Sequence, residues 1–117
     1  MMGNLHSIEL FIRIAGVSGF LAVALGAYGS HGLKKKVDAK TFEVFQTANR
    51  YHFIHTLALL AAPMTRHPMV VGWLLTVGML GFSGTCYYSA LTGSTTLNRF
   101  TPMGGMTLMA GWLAMAF

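Results

Sequence analysis

Four apolar runs separated by three short polar breaks restrict the fold of this chain more than any other feature. The runs cover residues 8–32, 39–62, 69–91 and 102–117. The breaks hold Lys34-Lys35-Lys36, Arg66-His67-Pro68 and Ser94-Thr95-Thr96-Leu97-Asn98-Arg99. Of the 117 residues, 54% are hydrophobic and only 9% charged, against about 25% charged in a soluble domain. Such a surface cannot be mostly wet. The first run would be about 37 Å long as a helix, enough to cross a hydrocarbon core of about 30 Å. The fourth, at roughly 22–24 Å, would tilt little or thin the bilayer locally. The expected fold is all-α, an integral membrane bundle of four transmembrane helices in one domain over residues 1–117.

Local signals mark the helix ends. Asp38 is a suitable N-cap for the second helix, and Pro63 stops it. Pro68 suits a first helical position, and Thr101-Pro102 reads as an N-cap followed by proline. The first half of the second helix mixes Phe42, Val44 and Phe45 with Glu43, Gln46 and Asn49, so it is expected near the interface, with the apolar part starting at Tyr51. Small residues recur at spacings of three, four or seven. Lipid offers no hydrophobic drive for helix association, so such residues let backbones approach closely. Gly19, Gly26, Gly81, Gly84, Gly104 and Gly111 are therefore the expected helix-packing positions, within the bundle or across a dimer face. Of nine methionines, seven lie from Met64 onward, as flexible packing fillers rather than a metal-binding array.

The net charge of +5 does not indicate nucleic acid. Three of the basic residues are consecutive in one short turn, without the broad basic face of a nucleic-acid module. Lys34, Lys35, Lys36, Lys40 and Arg99 fall on one side of a four-span topology, Arg13 and Arg66 on the other. The positive-inside rule then places both termini outside. Arg13 lies four residues after Glu9, a spacing that allows pairing along the helix. Arg13 before a short apolar stretch also fits a signal peptide, but cleavage would remove the small-residue face, so the first run is read as a retained span. The single Cys86 forms no internal disulfide.

The polar residues inside the apolar runs are the candidates for function, because a polar group at membrane depth is costly without a partner. Asn49, His52 and His55 or Thr56 recur at helical spacing. His31 ends the first run, Tyr87 and Tyr88 lie late in the third, and Arg50 adds a charge able to pair with Glu43 or an anionic headgroup. We expect His31, Asn49, Arg50, His52, His55, Tyr87 and Tyr88 to meet in one layer toward the lysine side. That layer serves either as an interhelical hydrogen-bond set or as a site for a lipid headgroup, a quinone ring or a proton relay. No metal site and no cofactor are expected, since Glu43 is the only nearby carboxylate. No nucleophile–base set and no paired carboxylates occur, so the chain is not expected to be an enzyme.

Four blocks stand in order: Gly26-Ala27-Tyr28-Gly29-Ser30-His31-Gly32; Thr47-Ala48-Asn49-Arg50-Tyr51-His52 with His55 and Leu57-Ala58-Leu59; Tyr87-Tyr88-Ser89-Ala90-Leu91-Thr92-Gly93; and Pro102-Met103-Gly104-Gly105 with Gly111-Trp112-Leu113-Ala114. Over nearly the whole chain they resemble the small membrane-protein family of unknown function that includes animal transmembrane protein 256 and bacterial inner-membrane relatives. Asn49-Arg50 is more similar to the animal branch. The resemblance implies four transmembrane helices and, for an animal member, the mitochondrial inner membrane. It brings no activity and no catalytic residues. The expected partners are the bilayer and a membrane-protein complex or homo-oligomer, with the chain acting as an accessory subunit or assembly factor. The alternative is a lipid- or quinone-binding protein, or small carrier, using the His/Tyr layer.

Overall fold

The computed structural model describes residues 5–117, and all regular structure among them is helical. Helix α1 spans Leu5–His31, α2 Ala39–Ala61, α3 Pro68–Met79, α4 Thr85–Thr92 and α5 Thr101–Met115. A π-helical stretch, Leu80–Gly84, joins α3 to α4 with helical backbone at both junctions, so the third apolar run forms one rod with a wider turn inside it. The outcome is four rods.

Their ends follow from local chemistry. Asp38 Oδ1 accepts from the Thr41 N–H at 2.8 Å and caps α2. The Thr41 bond also holds the Asp38 carboxyl below its ordinary pKa. Pro63 has no N–H to give, and α2 closes there in a 3-10 turn, Ala62–Met64. Pro68 opens α3. Gly93 ends α4 at φ +77°, a left-handed conformation that a side chain would strain. Thr101 departs from expectation. It is the first residue of α5 rather than its cap, because its hydroxyl is engaged by the Thr85 hydroxyl at 2.5 Å.

Successive rods are antiparallel. Gly29 faces Phe45 and Gly19 faces Thr56 across α1 and α2. Ser83 donates to the Ala48 carbonyl between α2 and the third rod. Thr85 meets Thr101 near one end of the last pair of rods, and Gly78 meets Leu108 deeper along it. The lysine turn and residues 93–100 therefore share one end. The 62–67 turn, Leu5 and Met115 share the other. Two apolar clusters fill the interior: Phe11, Leu59, Val71, Leu75 and Leu108 toward the termini, and Leu33, Phe45, Ala48 and Ala90 toward the lysine end.

Glycines set the closest approaches. A Cβ on Gly104 would overlap the Phe82 nitrogen and the Gly81 carbonyl carbon, and one on Gly81 would lie 2.9 Å from Gly104 Cα. A Cβ on Gly111 would lie 2.9 Å from a Leu75 methyl. Gly72, not singled out in the sequence, receives the Phe11 ring edge directly. Gly84 is a correction: expected at a helix contact, it has nothing within 4 Å.

Two stretches, Leu5–Lys35 and Pro68–Thr92, are long and apolar enough to cross a membrane on their own. α2 is not, because Lys40, Glu43 and Arg50 occupy its first half, and α5 has only 15 residues. The long axis of the molecule, 49 Å, exceeds the roughly 30 Å hydrocarbon core.

Candidate functional site

Between the two apolar clusters, α1, α2 and the third rod meet through polar side chains. Asn49 Nδ2 donates to the Ala22 carbonyl and to Tyr87 Oη, both at 2.9 Å. His52 Nδ1 lies 2.8 Å from Tyr87 Oη, and its Nε2 lies 2.9 Å from Ser18 Oγ. Ser18 Oγ is 2.6 Å from Thr56 Oγ1, which is itself 2.7 Å from the His52 carbonyl. Met79 Sδ approaches both hydroxyls, at 3.8 and 3.7 Å. Gly26 makes room for the amide, since a Cβ there would stand 2.9 Å from Asn49 Oδ1.

These bonds have one consistent direction. The Ala22 carbonyl only accepts, so it fixes which end of the Asn49 amide points inward. Tyr87 Oη therefore accepts from Asn49, and its single proton goes to His52 Nδ1. His52 then carries its proton on Nε2 and donates to Ser18, Ser18 donates to Thr56, and Thr56 donates to the His52 carbonyl. Reversing the chain would strand the Tyr87 proton. The chain closes on a backbone carbonyl of its own helix.

His55 is held separately and in the opposite sense. Its Nδ1 faces the Tyr51 carbonyl at 2.7 Å, and Trp112 Nε1 donates to its Nε2 at 2.9 Å. A carbonyl only accepts and an indole N–H only donates, so the proton of His55 sits on Nδ1. The ring also stacks on Tyr51, with centroids 5.8 Å apart.

Asn49, His52 and Tyr87 are thus brought together, and four other expected members are not. His55 turns toward α5, because three residues of helix rotate it away from His52. His31 is exposed and lies thirteen residues from Ser18, about 20 Å along α1, too far to share a layer with His52. Arg50 and Tyr88 are exposed and stay outside the network. Ser18 is the central residue of α1, so the layer lies at mid-length of the bundle rather than toward the lysine end. Sequence reasoning missed Ser18 and Trp112. The signal for Ser18 was its position among Ala15, Gly19 and Ala22, the small residues of the same face.

A cleft of about 550 Å³ opens over this network. α1 touches α3 near the termini, where Phe11 enters the space over Gly72 and packs edge-on against Trp73 at 5.8 Å. Farther along, Ser18 approaches Met79 Sδ on the cleft floor, and above it the walls of α1 and the rod stand apart. Ile14, Val17, Leu21 and Leu25 form one wall, and Thr76, Met79, Leu80 and Gly84 form the other. Ser18, His52 and Tyr87 line the floor, and Arg13 stands at the end near Phe11. The π-helical stretch supplies part of the second wall, and such stretches recur at functional sites.

Comparison with known proteins agrees with this architecture. A UPF0382 membrane protein of Staphylococcus saprophyticus is 37% identical over 110 residues, covering 90% of this chain and 92% of the relative. UPF0382 membrane protein YwdK of Bacillus subtilis is 32% identical over 112 residues, 90% and 91% of the two chains. A Haemophilus influenzae UPF0382 membrane protein is 32% identical over 114 residues, 92% and 90%. No solved structure matches the chain. Residues 25–105 match the family described as protein of unknown function, DUF423. This all-α membrane protein therefore belongs to the DUF423 family.

Proposed function

We propose that the chain is a non-enzymatic, multi-pass membrane protein that holds an elongated apolar molecule of the bilayer, of lipid or quinone class, between α1 and the α3–α4 rod. The cleft carries this reading. Its volume of about 550 Å³ lies within the roughly 300–1,000 Å³ of small-molecule pockets, which combine apolar walls with a few polar groups. Ser18 and Tyr87 each keep a lone pair for a ligand hydroxyl after their internal bonds are made.

An accessory or assembly role is the second reading. It is favoured by the outward face of α1, where Phe20 and Val23 are 71% and 60% exposed and Gly16 faces open space. Native gels and mass spectrometry in mild detergent separate the two. A lone protein with a retained lipid or quinone supports the cleft reading. A stable heteromeric complex with no small molecule retained supports the second.

The proposed topology has four crossings, with the lysine turn and residues 93–100 on the cytoplasmic or matrix face. Labelling of single cysteines in those two segments from opposite sides would refute it. The proposed mitochondrial inner-membrane location rests on the similarity of Asn49-Arg50 to the animal branch. Fractionation of cells expressing the tagged chain tests it.

A further inference from the structure

Among the described residues, Arg13 is the one charged side chain lining the cleft, and none of them pairs with it. Glu9, one turn earlier at a spacing that allows pairing, forms no ion pair with it. Arg13 is five residues from Ser18, about 7 Å along the helix. With α1 centred in a hydrocarbon core about 30 Å thick, its Cα lies well inside that core. A guanidinium at such depth calls for an anion or an aqueous escape. The cleft beside it holds room for an anion's apolar remainder.

The shape narrows the class. The cleft face of α1 runs from Arg13 to Leu25, about 18 Å. Its walls are aliphatic over that whole length, with Val17, Leu21 and Leu25 facing Met79 and Leu80. An extended alkyl chain fits that length and that lining. A carboxylate matches the paired N–H groups of a guanidinium in bidentate fashion.

Building on the cleft reading above, we infer that the site takes a single-chain carboxylate amphiphile, a long-chain fatty acid in chemical class. The carboxylate sits on Arg13. The alkyl chain lies along Val17 and Leu21 toward Leu25, over the Ser18–His52 floor.

Native mass spectrometry of the full chain in mild detergent, titrated separately with palmitate, hexadecanol and dipalmitoyl phosphatidate, tests this. The expected result is one palmitate per chain, with affinity lowered tenfold or more by Arg13→Gln and largely kept by Arg13→Lys. Hexadecanol should bind more weakly and ignore Arg13→Gln, and Val17→Trp should block both by filling the groove. Equal binding of palmitate and hexadecanol, indifferent to Arg13→Gln but blocked by Val17→Trp, overturns the fatty-acid inference and leaves the cleft reading standing. Preference for the two-chain phosphatidate overturns it as well. Absence of binding by all three overturns both.

Discussion

Gly104→Ala and Gly105→Ala differ by one position, and we predict that they move stability in opposite directions. A methyl on Gly104 would overlap main-chain atoms of Gly81 and Phe82, which cannot swing aside as a side chain would. The reciprocal gap is equally small: a Cβ on Gly81 falls 2.9 Å from Gly104 Cα, about half an ångström short of ordinary contact. α5 must therefore back away from the third rod. A radial gap of about 0.5–1 Å forfeits a quarter to a half of each dispersion contact. The loss extends to Gly78 against Leu108 and Leu75 against Gly111 on the same seam. Overpacking of this kind costs about 1–3 kcal/mol. On Gly105 the added methyl sits 3.6 Å from a Phe82 ring carbon, an ordinary contact. There, alanine contributes its higher helix propensity, up to about 1 kcal/mol. SDS titration of the refolded protein in mild-detergent micelles, followed by circular dichroism, measures both. Equal unfolding midpoints, or Gly105→Ala as the weaker variant, would show that α5 does not dock on the rod through Gly104.

Three further outcomes follow from the same geometry. Gly72→Ala drives a methyl into the Phe11 ring and should lower stability by about 1–3 kcal/mol, with Phe11→Leu in the same chain recovering part of the loss on SDS titration. Tyr87→Phe removes two interhelical bonds, each worth about 0.6 kcal/mol and at most about 1.7, so the same titration should read a loss of about 1–2 kcal/mol. Asp38→Ala should speed hydrogen exchange at the Thr41 amide. Because the folded carboxyl is held below its ordinary pKa, its contribution is present above the unfolded value and fades as pH falls through the folded one, so acidification should lower that amide's protection, its rate measured against the intrinsic rate at the same pH, in the parent chain too.

The architecture was legible where apolar runs met strong punctuation. Asp38, Pro63 and Pro68 mark helix ends by chemistry that needs no tertiary partner. The π-helical stretch left no such mark, because Gly81 and Gly84 read equally well as packing glycines, and only Gly81 is one. Thr101 carried a cap signature and lost it to a hydroxyl sixteen residues away. The site was half visible. Asn49 and His52 stand out as polar residues in apolar surroundings, yet depth along a neighbouring helix decides who joins them. That is why Ser18 enters the layer and His31 does not. His55 shares the spacing and differs in direction, which a helix fixes only once α5 is placed and Trp112 comes within reach.

The opposed proton placements on the two histidines test this arrangement most directly. Nitrogen-15 NMR of histidine-labelled protein in bilayers, with resonances assigned through His52→Gln and His55→Gln, reads which ring nitrogen carries hydrogen. We predict Nε2–H for His52, set by Asn49 through Tyr87, and Nδ1–H for His55, set by the Tyr51 carbonyl and Trp112. The same tautomer at both positions would contradict the directed network on the cleft floor.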